Sequence, residues 1–174
     1  MANTLISGND SVQKYRMTGP TSSTSTPADE TAIRSLYQQL MDGWNKGSSE
    51  AFAAPFAEDS DLVGFDGTHL NGRQNIISFH QQLFDNYVKD SRLVGKVRNV
   101  RFLTHDVAIM HVVGGTIMAG RTDIEPERNS VQTLVATKDS KGKWRLAAFQ
   151  NTRAQYLGRP EQAEALTEEL RRLL

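Results

Sequence analysis

Residues Asn129–Arg153 constrain the chain more tightly than any other stretch. They read N-S-V-Q-T-L-V-A-T-K-D-S-K-G-K-W-R-L-A-A-F-Q-N-T-R. Two β-rich runs, Ser130–Lys138 and Lys143–Arg153, flank the polar turn Asp139-Ser140-Lys141-Gly142, which predicts a long antiparallel hairpin. Small residues and amides stand where a purely structural strand carries more Val and Ile. The hairpin therefore reads as a pocket wall as well as a piece of core. On strict alternation, Trp144, Leu146, Ala148, Gln150 and Thr152 share one face, and Arg145, Ala147, Phe149, Asn151 and Arg153 share the other. Either Gln150 or Asn151 then faces the pocket, unless a bulge intervenes. Both are orienting groups and neither is an acid or base.

The parts that close such a pocket lie upstream. Residues 1–26 read as a tail, because Gly19–Thr26 is too poor in apolar residues to offset its ordering entropy. Residues 27–157 read as one folded domain and 158–174 as a C-terminal helix. Thr26, Pro27 and Asp29 form a capping signature. Ile33, Leu36, Tyr37, Leu40, Met41 and Trp44 follow at helical spacing, and Gly47 ends the run. Ser48–Phe56 begins a shorter helix that Pro55 must kink or stop. Asp61–Phe65 predicts a short strand, turned by Asp66-Gly67, with Thr68–Leu70 returning. A third helix carries Ile76, His80, Leu83, Phe84 and Tyr87 on one face. Long strands are expected over Arg92–Leu103 and Val107–Met118, and Glu161–Leu174 reads as a terminal helix. Helices grouped before an antiparallel sheet make an α+β domain. A strongly bent sheet wrapped around one long helix makes a cone with an open mouth.

Charge and composition narrow the function. In 174 residues, 20 Lys and Arg balance 20 Asp and Glu, so nothing points to nucleic acid or to a membrane surface. There is no cysteine, which excludes disulfides, thiolate metal sites and a Cys nucleophile. No apolar run approaches a membrane span and the N-terminus lacks signal-peptide character; a cytoplasmic protein is expected. His69, His80, His105 and His111 show no helical pairing and no flanking carboxylate cluster, so no metal is expected. Gly114-Gly115 lacks the frame of a phosphate-binding loop, so no cofactor is expected either.

Five positions, with the Gln150 and Asn151 pair, are the candidate site. His80 on an apolar helical face is either a pocket acid/base or a buried, hydrogen-bonded core histidine. His111, among Val107, Ile109 and Val113, points either into the cone or into an interface. The two histidines are the catalytic candidates. Trp44 is a core residue whose indole N–H needs a partner and could serve a ligand. Asp61, which opens the first strand, is the best carboxylate for a pocket role. Phe65 ends that strand and completes the substrate-binding set.

Several local motifs occur in a particular order. They are Trp44-Asn45-Lys46-Gly47, Phe56-Ala57-Glu58-Asp59, Gly72-Arg73 with His80, Asp106-Val107-Ala108 with His111, and Gly142–Thr152. This ordered set resembles the NTF2-like (SnoaL-like, cystatin-like) superfamily of cone-shaped α+β domains. Within it the chain is most similar to the SgcJ/EcaC family, including its members of enediyne polyketide antibiotic biosynthesis. The resemblance implies a homodimer packed sheet to sheet and a hydrophobic small-molecule ligand, with a polyketide synthase or other pathway proteins as further partners. It implies binding and shaping of a polyketide or polyene intermediate, with histidine acid/base assistance as in a cyclase or isomerase, or else a non-catalytic carrier or assembly module. Two departures bear on chemistry. Gly64 and Leu40 stand where ketosteroid isomerases carry their base and their oxyanion-hole tyrosine. Gln150 stands where many SgcJ/EcaC members carry His.

Overall fold

The computed structural model describes residues 26–174. Apart from Thr26, the expected tail lies outside the described residues. The first helix, α1 (Pro27–Asn45), starts at its capping box. Thr26 Oγ1 accepts from the Asp29 amide at 3.1 Å, and the Asp29 carboxylate accepts from the Thr26 amide at 3.2 Å. That carboxylate also accepts from Trp144 Nε1 at 2.8 Å and from Lys138 Nζ at 2.6 Å. The helix cap is thus also the tie between α1 and the hairpin. Lys138 first, then Trp144, hold the Asp29 carboxyl well below the usual carboxylate range.

Pro55 acts as a stop. Helix α2 (Ser49–Ala53) is five residues long, and β1 (Phe56–Val63) follows at once. The strand begins five residues earlier than the sequence suggests, because Phe56 drops into the core opposite Leu146 while the polar Ala57-Glu58-Asp59 masks its strand character. The chain continues through β2 (His69–Asn71), α3 (Arg73–Asn86), β3 (Arg92–Phe102), β4 (Val107–Ile117), β5 (Ser130–Lys138), β6 (Trp144–Arg153) and α4 (Pro160–Arg171). One six-stranded sheet runs in the order β2-β1-β6-β5-β4-β3. Among the described residues only β1 and β6 pair in parallel.

A bulge decides which face of β6 looks inward. Val135 pairs with Ala148 and Ala136 with Leu146, leaving Ala147 as the extra residue. The bulge reverses the alternation. Trp144 and Leu146 are buried inward, and beyond the bulge it is Phe149 and Asn151 that face in, while Gln150 is exposed. On the inner face, Ile33, Leu36, Tyr37, Leu40 and Met41 of α1 pack on Ala108, Met110, Val112, Leu134 and Leu146. A second, smaller core lies on the outer face, where Leu166 and Leu170 of α4 cover Val113, Ile117 and Ile124. Asn129 Nδ2 donates to Thr167 Oγ1 at 2.8 Å, and Glu169 pairs with Lys96 and Arg98, so α4 is fixed to its own sheet. No helix among the described residues is long and apolar enough to cross a membrane.

Candidate functional site

A cavity of about 210 Å³ lies between the inner sheet face and helices α1 and α3. Strand register orders the inner sheet face, of which Phe149, Gln132, Asn151, Gly114, Ser130 and Arg153 line the cavity. Met110, Leu134 and Phe149 form one cross-strand row, Val112, Gln132 and Asn151 the next, and Gly114, Ser130 and Arg153 the third. Polarity rises along these rows from an apolar floor to a mouth. Phe65, Asp66, Asn151 and Arg153 stand at that mouth, since they also line a depression on the outside of the domain.

Two of the amide oxygens in the wall have no partner. Gln132 Oε1 and Asn151 Oδ1 are buried and accept no hydrogen bond among the described residues. Gln132 Nε2 donates to Ser130 Oγ at 3.0 Å. The third row is lowered by glycine. Gly95 of β3 faces Gly114 of β4, and a Cβ on either would crowd the Tyr37 hydroxyl, at 2.5 and 3.2 Å. These glycines let the Tyr37 phenol lie against the sheet, and burial raises its pKa.

His80 and Trp44 form the helical wall. The His80 ring is buried, stacked on Phe52 with centroids 4.0 Å apart. Its Nδ1 lies 2.8 Å from the Ile76 carbonyl. A carbonyl only accepts, so Nδ1 carries the proton and Nε2 is the lone-pair nitrogen of the neutral ring. Burial pushes its pKa down to about 4, against a smaller opposing effect of the Ile76 carbonyl. The Trp44 indole N–H donates to Ser91 Oγ at 3.0 Å, so the ring, and not the N–H, is what lines the cavity. Asn45 completes that junction: its side chain accepts from the Leu93 amide at 2.6 Å and donates to the Leu93 carbonyl at 3.1 Å.

The cavity brings together Trp44, Phe65, His80 and Asn151. It does not include Asp61, His111 or Gln150, and a pocket role for them does not fit their positions. All three lie on the outer face. His111 pairs across the sheet with Thr133, which pairs with Gln150, and its Nδ1 lies 3.1 Å from Asn99 Oδ1. Asp61 Oδ1 meets Asn71 Nδ2 at 3.0 Å and His69 Nε2 at 2.8 Å, and these two bonds lower its pKa, Asn71 more than His69. Gly64 and Leu40 do line the cavity and bring no acid or base to it. Sequence reasoning passed over Tyr37, Arg128, Ser130, Gln132 and Arg153. The parity of Ser130 and Gln132 with Leu134 was the signal for two of them. Among the described residues no three His, Asp or Glu side chains cluster as metal ligands.

No protein-family model matches the chain, and no curated protein is similar to it. Solved structures are. A domain of unknown function with a cystatin-like fold from Nostoc punctiforme PCC 73102 is 45% identical, with a TM-score of 0.74 over 81% of this chain and 86% of that one. An NTF-2-like protein of unknown function from Shewanella oneidensis MR-1 is 16% identical, with a TM-score of 0.59 over 71% and 98%. A hexachlorocyclohexane dehydrochlorinase, LinA-type3, from Novosphingobium barchaimii LL02 is 14% identical, with a TM-score of 0.62 over 73% and 87%. The last two share the fold alone. The cone, its element order and the 45% identity lead to one conclusion: the chain belongs to the family of the Nostoc punctiforme domain, whose fold is the NTF2-like, cystatin-like α+β cone.

Proposed function

We propose that the protein binds a small, largely apolar molecule inside the cone. The observation that carries this reading is one cavity that combines an aromatic wall with buried, unpartnered amide oxygens. A buried polar atom left unpaired costs about 1–3 kcal/mol, a cost that a polar occupant offsets either by donating to Gln132 and Asn151 or by accepting from an amide that turns toward it. Trp44, Phe52 and Phe149 supply the apolar contact. The dehydrochlorinase of the same fold is named for a small apolar ring compound, which supports the size class. The narrower likeness to the SgcJ/EcaC family suggests a polyketide or polyene intermediate, of which about 210 Å³ holds one end.

Binding is favoured over catalysis by the state of His80. A base whose pKa lies near 4 is a weak proton acceptor at neutral pH. His80 Nε2 is an acceptor only for a ligand group that carries a donor, and any proton transfer falls to that atom. Saturation with a single-ring apolar compound should raise stability by about 2.7 kcal/mol at ~100 Kd. Leu83→Trp, on the cavity-lining face of α3, should fill the space and abolish that shift. Equal thermal shifts for wild type and Leu83→Trp would sink the reading.

The outer sheet face is proposed as the seat of a second copy. Its Val107, Ile109, Val131 and Val135 are only partly covered, because α4 shields the Val113 and Ile117 end. Such a mixed apolar face is self-complementary about a two-fold axis. Light scattering should give a dimer for the wild type and a monomer for Ile109→Lys. A wild-type monomer at the highest soluble concentration rules the dimer out.

A further inference from the structure

We propose that the occupant is a compact apolar carboxylic acid whose carboxylate is held at the mouth by Arg153, with Asn151 beside it. This rests on the pocket reading above and adds the chemical class of the ligand.

Arg153 closes β6, on the same inward parity as Phe149 and Asn151. Its guanidinium carbon lies 3.8 Å over the centre of the Phe65 ring. The contact seats the group against Phe65. A guanidinium carries five N–H donors in a rigid fork, and among the described residues Arg153 makes no ion pair and no side-chain hydrogen bond. Its surroundings on balance work against its charge: burial does so most, the neighbouring Arg128 charge adds to it, and Glu125 offsets a smaller part. An anion at the mouth relieves the first two.

Charged neighbours of both signs stand around Arg153. Arg128 donates Nε to Glu125 at 2.7 Å. The Asp66 carboxylate accepts from the Thr68 amide at 3.0 Å and from Thr68 Oγ1 at 2.9 Å. Of the two guanidinium groups that line the cavity, Arg128 is paired with Glu125, and Arg153 has no ion pair among the described residues, which suits a monoanion. A planar carboxylate matches the fork in bidentate fashion. Asn151 stands two residues back on the same face, and its amide can turn to present Nδ2 to the same anion, which also relieves the unpartnered Oδ1 from burial without a bond. Size sets the rest of the molecule. A dry cavity of roughly 150 Å³ takes a benzene ring, so about 210 Å³ takes one ring and a short acid arm. The three rows of the sheet wall place the ring on Phe149 and the acid at Arg153.

Calorimetric titration of the full chain with 3-phenylpropionate, 3-phenylpropan-1-ol and 3-phenylpropylamine tests this. The acid should bind roughly tenfold to a hundredfold more tightly than the alcohol, and the amine should bind most weakly. Arg153→Gln should bring the acid-to-alcohol ratio close to one, and Arg128→Gln should lower it less. Alcohol and acid binding equally to the wild type, or the amine binding best, overturns the carboxylate assignment and leaves the pocket standing. No binding of any of the three overturns the pocket reading and this inference with it.

Discussion

Gly43→Ala is expected to destabilise the protein by roughly 3 kcal/mol or more, although alanine is the better helix former by about 1 kcal/mol. The sign is set by distance. Gly43 lies within α1 where α2 crosses it, and a Cβ there would sit 2.2 Å from the Phe52 amide nitrogen and 2.4 Å from the Ala51 carbonyl carbon. These are backbone atoms and no rotamer change moves them. Relief requires α2 to slide away, which strains the hydrogen bond from the Ser48 amide to the Gly43 carbonyl (3.1 Å) and draws Phe52 off His80. The melting temperature should fall by about 6–12 °C, taking roughly 2–4 °C per kcal/mol for a domain of this size. Ligand response should fall with it, since Phe52, His80 and Trp44 all line the cavity. A variant melting at or above the wild-type temperature would show that α1 and α2 do not touch as described.

That contact shows what was legible in the chain and what was not. The α1 face, Ile33 to Trp44, was readable because helical spacing is a property of one segment and its cap is local. The hairpin was readable for the same reason. Its inward face was not, because Ala147 bulges out of the ladder by pairing with nothing, and no residue in Leu146-Ala147-Ala148 announces it. That one extra residue selected Asn151 and Arg153 over Gln150 and Thr152. His111 was placed with Val107, Ile109 and Val113 on one face correctly; which side of the sheet that face met depended on α1 and α4, neither of which the strand encodes. Asp61 failed as a pocket residue for a related cause. Leu62 pairs with Phe149 on the inner face, so its neighbour Asp61 must point out. Glycine was undervalued: Gly95 opposite Gly114 marks the place where Tyr37 lies on the sheet, a cross-strand coincidence visible only once the register is known.

His80 should make the protein acid-sensitive in a window where its carboxylates do not. In the folded state burial holds the imidazole neutral, with a pKa of about 4; unfolded, it returns to about 6.5. A folded value below the unfolded one means that the unfolded chain binds the proton first. The stabilising contribution is therefore complete above pH ~6.5 and is lost as pH falls toward ~4. Integrated over that span it amounts to about 3 kcal/mol, of which about 2 kcal/mol should be gone at pH ~5. The carboxylates with lowered pKa, Asp29, Asp61 and Glu169 among them, lose their contributions at lower pH still. His80→Phe removes the titration while keeping a flat ring on Phe52. It also leaves no orphan, because the Ile76 carbonyl still accepts from the backbone amide of residue 80 within α3. Urea unfolding at pH 7.5 and pH 5.0 should show the wild type losing about 2 kcal/mol between them and the variant losing much less. An unchanged loss in His80→Phe would assign the acid sensitivity elsewhere and remove the case for a neutral, buried ring. The same ring state governs the site: a histidine that stays neutral to such low pH offers its ligand a lone pair at Nε2 and no charge, which leaves Arg153 as the group that reads the ligand's charge.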